Sequence, residues 1–175
     1  MLFRSAVKSL IETAVQEVGA SVSSDSVGSQ RLVAAVLPHA GLAYSARGLA
    51  HLVGAASNRI QQVLILAPSH YNRVPPNTLS IGRFGAYETP LGVLKGFNPF
   101  PTGRFPDASQ ALQQEHAVEM VLPFLAHLQN SQSAHVEVAT ALISEVTTIE
   151  HARRIAFEIG EAVGIATLRS GECLV

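Results

Sequence analysis

The sequence predicts an α/β domain in which a mostly parallel sheet is sandwiched by helices. Three observations carry this. Short apolar runs bounded by loop signals, at 31–38, 61–68 and 135–144, read as buried strands. Stretches with helical spacing alternate with them. The first two runs are joined by one helix, which makes a βαβ unit with parallel strands. The 175 residues fit one domain, 1–175.

The elements follow in order. Phe3, Ala6, Val7, Leu10, Ile11, Ala14 and Val18 recur at helical spacing, so a helix is expected over 3–18. The small, polar run "GASVSSDSVGSQ" (19–30) reads as a loop. "RLVAAVLP" (31–38) is the first strand, "SARGLAHLVGAAS" (45–57) a helix with Leu49, Leu52 and Val53 on one side, and "QQVLILAP" (61–68) the second strand. Residues 69–106 are rich in Pro and Gly, with short strand candidates at "TLSIG" and "GVLKG" and turn residues at Thr89, Pro90 and Gly92. Asp107 can cap a short helix. "QEHAVEMVLPFLAHL" (114–128) is a helix that Pro123 should bend or shorten. "HVEVATALIS" (135–144) is the third strand. Thr147 and Glu150 stand at capping-box spacing before a helix, and "GECLV" begins a further strand. An apolar, unpaired edge of that kind favours association, so a homo-oligomer is expected.

Composition narrows the function classes. The chain is 47% hydrophobic and 14% charged, which is a globular and rather apolar balance. A net charge of −1 lacks the clustered basic excess of a nucleic-acid binder. No apolar run approaches a membrane span, and the N-terminus, with Lys8, Glu12 and Glu17, does not read as a signal peptide. One Cys cannot form an internal disulfide, which points to a cytoplasmic setting. P-loop, GxSxG, HExxH, CxxC and GxGxxG motifs are missing. Ser69 lacks the context of an activated nucleophile, so a hydrolase is disfavoured.

Seven His make metal or proton chemistry worth testing. Two of them repeat one pattern. "LPHAGLAYS" (37–45) and "LAPSHYN" (66–72) each end an apolar run in a proline, with a histidine within two residues. Ligands of open parallel sheets bind beyond the carboxyl ends of the strands, where His39 and His70 are expected. Adjacent strand axes are about 4.8 Å apart, so two such imidazoles can reach one ion. The bland alternative is a pair of hydrogen-bonded loop residues. "EHAVE" adds Glu115, His116 and Glu119, whose i,i+3 and i,i+4 spacings share a helix face. A carboxylate with two His would make a facial triad, and the same groups could instead relay protons. The alternative is the solvated, acidic start of a helix. His51, His127, His135 and His151 read as surface or packing residues. Arg73 reads as solvated, and Tyr44 and Tyr87 as pocket-lining or packing.

Four pieces together, "LPHAGLAYS", "LAPSHYN", "YETPLGVL" and "EHAVEMVLPFL", resemble the Memo family, also called AmmeMemoRadiSam system protein B. The resemblance covers about 30–175 and implies an α/β fold related to class III extradiol dioxygenases, with a non-haem iron site. It implies that His39 and His70 hold the metal, iron or copper, and that Glu115, His116 and Glu119 lie near the pocket. It implies redox activity, or else a non-catalytic interaction module, with radical-SAM and AMMECR-type proteins as partners. Family chains also carry an opening motif ending in Trp/Phe-Tyr-Pro, which is not seen here. They continue to a strand, a Ser-Asp-x-x-His stretch and a later Cys, whose context Cys173 does not share. Tyr71 stands where the family often has a second His. The expectation is therefore an incomplete Memo-like domain. Its metal residues are His39 and His70, and its proton-handling residues are His116 and Glu119.

Overall fold

The computed structural model describes residues 2–21, 32–55, 60–71, 73–132, 135–170 and 173–175. Its helices are α1 (Leu2–Ser21), α2 (Leu42–Ala55), α3 (Ser109–Leu112), α4 (His116–Gln132) and α5 (Ile149–Ser170). Its strands are β1 (Gln62–Pro68), β2 (Leu79–Ile81), β3 (Ala86–Thr89), β4 (Gly92–Gly96), β5 (Glu137–Ile143) and β6 (Cys173–Leu174).

The strand order is β3-β4-β5-β1-β6, with β2 also on β5. β1 lies parallel to β5 along its whole length, from Gln62 opposite Glu137 to Pro68 opposite Ile143. β6 and β4 also join in parallel, whereas β2 on β5 and the β3–β4 hairpin are antiparallel. The result is the mixed, mostly parallel sheet flanked by helices that the sequence predicts.

Strand alternation sends side chains into two cores. Val63, Ile65 and Ala67 of β1 face a core shared with Ile11 and Val18 of α1, Leu49 and Leu52 of α2, and Val121 and Leu125 of α4. Leu64 faces the other core, with Ala139 and Ala141 of β5 and Ile155 and Ala162 of α5. On α1 the buried positions are Val7, Ile11, Ala14 and Val18, one stripe of an amphipathic helix.

Several details differ from expectation. The strand predicted over 31–38 does not form among its described residues, 32–38. It makes a single rung: the Val175 N–H donates to Val33 O (3.2 Å) and the Ala35 N–H to Val175 O (2.9 Å). Apart from that rung it enters no strand ladder among the described residues, and Val36 is fully exposed. This segment and β1 are therefore not adjacent, because β6 comes between them. Part of the loop expected at 19–30 is helix through Ser21, and 22–30 fall outside the described residues. "AYET" forms a strand that the turn residues after it only hinted at. Pro123 neither ends nor shortens α4, which runs on to Gln132. Asp107 does bind the first turn of α3, accepting from the Ser109 N–H at 2.7 Å, although the N-cap residue is Ala108. At α5 the cap is Thr148, whose hydroxyl accepts from the His151 N–H, while Thr147 bonds Asn77.

Candidate metal centre

Three segments bring histidines to the carboxyl rim of the sheet. His39 follows Pro38 at the end of the extended run, His70 follows β1, and His116 is the first residue of α4. A close approach at Gly48 fixes the first of these. A Cβ there would meet Pro38 Cγ at 2.6 Å, so only glycine lets α2 lie this near the turn that carries His39.

The three rings form one cluster. Centroids are 5.1 Å apart for His39 and His70, 5.9 Å for His39 and His116, and 4.6 Å for His70 and His116. One nitrogen from each lies within 4.8 Å of the others. Nitrogens bound to one ion at about 2.1 Å can be at most about 4.2 Å apart, so small rotamer adjustments bring all three into range.

Behind them sits Glu115, only 3% exposed. It directly precedes α4, where an acidic group suits the helix dipole, and its Oε1 accepts from the Ala117 N–H at 3.4 Å. The same oxygen is 2.7 Å from His70 Nδ1 and 3.4 Å from His116 Nδ1, and Oε2 accepts from the His70 backbone N–H at 3.1 Å. Burial by itself would push this carboxyl up. The bonds from the His70 ring and from the His70 and Ala117 N–H groups reverse that and hold it below its ordinary value. An ionised carboxylate only accepts, so this bond requires the proton on His70 Nδ1, and in a neutral ring the lone pair is then on Nε2. This is the usual arrangement of a metal-binding His whose other nitrogen is held by a carboxylate.

His39 and His70, paired by the sequence, do come together. His116, read there as a proton carrier, joins them as a third imidazole. Glu119, one turn along α4, is exposed and outside this cluster; it lines a second cavity of about 240 Å³ with Glu115, Tyr87 and Thr140. In that cavity the buried Tyr87 hydroxyl bonds Thr140 Oγ1 at 2.9 Å. Burial raises its pKa, and the Thr140 bond offsets this only in part. Tyr44 is exposed, and Arg73 stacks over Tyr71, whose ring edges toward His116. Glu115 is the residue whose role the sequence did not reveal. Its partner lies 45 positions away, and no local spacing signals a carboxylate beneath an imidazole.

Comparison with known proteins adds lineage to geometry. The model of a family described as Memo-like protein matches residues 4–164. A MEMO1 family protein of Methanopyrus kandleri is 31% identical over 144 residues, covering 78% of this chain and 47% of that one. One from Methanosarcina barkeri is 28% identical over 128 residues, covering 71% and 47%. Human Protein MEMO1 is 29% identical over 121 residues, covering 65% and 40%. The chain thus spans about half the length or less of these relatives.

Proposed function

The chain belongs to the Memo family, and from that premise we propose that it is a metal-dependent redox protein whose ion, iron or copper, is held by His39, His70 and His116. The observation that carries the proposal is the convergence of three imidazoles over one buried carboxylate. The donor set fits: imidazole suits iron, copper, nickel and zinc, and three protein ligands leave positions open. A bound ion of this kind would supply one-electron redox chemistry and Lewis acidity at the rim. Glu115 engages His70 Nδ1, which would leave Nε2 as the ring nitrogen that holds the ion. Glu119, exposed on the same helix, is the carboxylate we assign to proton handling. We place the protein in the cytoplasm, on its single cysteine, and take radical-SAM and AMMECR-type proteins as its partners, on the family resemblance.

The test is metal analysis of protein purified anaerobically without chelator, followed by calorimetric titration with Fe(II) and Cu(II). One ion per chain is expected, with copper the tighter, following the general order of divalent affinities. Protein that leaves both metals free would end this reading.

A further inference from the structure

The cavity of about 240 Å³ that Glu115 and Glu119 share lies toward β3, the edge of the sheet opposite β6. Leu112, Val118 and Leu122 give it apolar walls, and Phe84 and Tyr87 add an edge-to-face ring pair with centroids 5.3 Å apart. Glu88 joins the other two glutamates in its lining, and none of the lining residues is basic.

Two properties of this lining are unanswered within the chain. The first is a proton. Tyr87 of β3 and Thr140 of β5 are both more than nine-tenths buried, and their hydroxyls share one hydrogen bond of 2.9 Å. Each hydroxyl carries one proton, and a single bond between them uses only one of the two. The other has no acceptor among the described residues, whichever oxygen carries it. Burial holds the Tyr87 hydroxyl above the usual phenol range, so it stays protonated at neutral pH. A buried donor left without an acceptor is costly. The second property is charge. Glu88 and Glu119 are exposed at the rim, and neither side chain has a hydrogen-bond or ion-pair partner among the described residues. Both oxygens of Glu115 are engaged by His70 and Ala117, so its share is negative potential rather than a contact.

We propose that this cavity binds a small primary amine. Its ammonium is held by Glu88 and Glu119, its apolar body lies against the leucine, valine and phenylalanine walls, and an oxygen at its far end accepts the spare proton of the Tyr87–Thr140 pair. At about 30 Å³ per water the volume equals about eight waters, which suits a ligand of about eight to ten non-hydrogen atoms. Water alone would accept the proton but would leave the apolar walls wetted and the rim charge unanswered. An anion would meet three carboxylates and no base. A neutral alcohol would satisfy the buried pair and leave Glu88 and Glu119 unpaired. The proposal does not depend on a metal.

The test is calorimetric titration of the 175-residue protein at neutral pH and low salt with three molecules of one skeleton. Tyramine carries both the ammonium and the oxygen, tyrosol replaces the ammonium by a hydroxyl, and phenethylamine lacks the phenol oxygen. Tyramine should bind saturably. Tyrosol should bind about fivefold more weakly, the effect of losing an exposed ion pair. Phenethylamine should bind about threefold to tenfold more weakly, the effect of one neutral hydrogen bond. Tyr87→Phe combined with Thr140→Val keeps the shapes and removes both hydroxyls, so it should bind tyramine no better than phenethylamine. Glu88→Gln combined with Glu119→Gln should abolish the preference for tyramine over tyrosol. That surface variant decides the matter even if the hydroxyl-free one fails to fold. His39→Ala takes a ligand from the metal centre without touching this cavity, so tyramine affinity should not change. Tyramine that does not saturate, or three compounds that bind alike, would overturn the proposal. So would loss of tyramine binding in His39→Ala, since the amine would then sit on a metal ion.

Discussion

Two glutamates stand at opposite ends of the sheet, and their surroundings explain why one end carries chemistry. Glu137 opens β5 at the amino end, where it accepts from Lys95 of β4 and from Gln62 of β1 at 2.9 Å. Glu115 lies at the carboxyl end under His70 and His116. Both carboxyls sit below their ordinary pKa, Glu137 mainly through Lys95 and Glu115 through the His70 contacts that outweigh its burial. At the amino end a permanent cation satisfies the charge, and the contact clips three strands together. At the carboxyl end the partners are imidazoles, which give one nitrogen to the carboxylate and keep the other for something else. The same residue type therefore fastens strands at one end and orients a ligand set at the other.

Mutations can break this contrast or sharpen it. The largest effect is expected from His70→Ala, which removes a donor outright. Calorimetric affinity for Cu(II) should fall by more than the roughly 10–100-fold that loss of an outer-shell partner costs. Glu115→Gln should lose about that 10–100-fold itself, because the amide can donate to His70 Nδ1 and favour the wrong tautomer. Glu137→Gln should leave metal affinity unchanged, and an equal loss in both variants would abolish the distinction between the two ends. Gly48→Ala, by pushing Pro38 from α2, should cost about 1–3 kcal/mol in urea unfolding and weaken metal binding through His39.

The smallest effect belongs to acid. Glu137 has its pKa lowered on folding, so its contribution is complete above the carboxyl pKa of the unfolded chain. It is lost as pH falls through the lower folded value. Lys95 is 61% exposed, so screening keeps this contribution near the 0–1 kcal/mol typical of exposed pairs. Unfolding midpoints measured across the acid range should show wild type losing this increment and Glu137→Gln showing less of that pH dependence.

Much of this was legible in the sequence, for physical reasons that also mark where legibility stopped. His39 and His70 were found because a strand ending in proline fixes the direction of the chain just before the histidine. β1 and β5 were found because strands covered on both faces read as unbroken apolar runs. The run at 31–38 reads the same way, yet a strand also needs neighbours along its edge, and composition carries no record of them. Thr147 and Thr148 are equally good caps on paper; Asn77, seventy positions earlier, takes the first and leaves the second for His151. Glu115 and His116 were noticed together but assigned by spacing along their own helix. Their roles come from His70, in another part of the chain.

The hold of Glu115 on both the ring and the backbone N–H of His70 has a kinetic consequence. The loop after β1 is tied to the start of α4, so His70 and His116 form a rigid jaw before any cation arrives. His39 sits on a separate strip of chain, joined to Val175 by one backbone rung and packed on α2 where Pro38 meets Gly48. Capture should therefore proceed in two phases in stopped-flow traces, a fast docking onto the jaw and a slower clasp by His39.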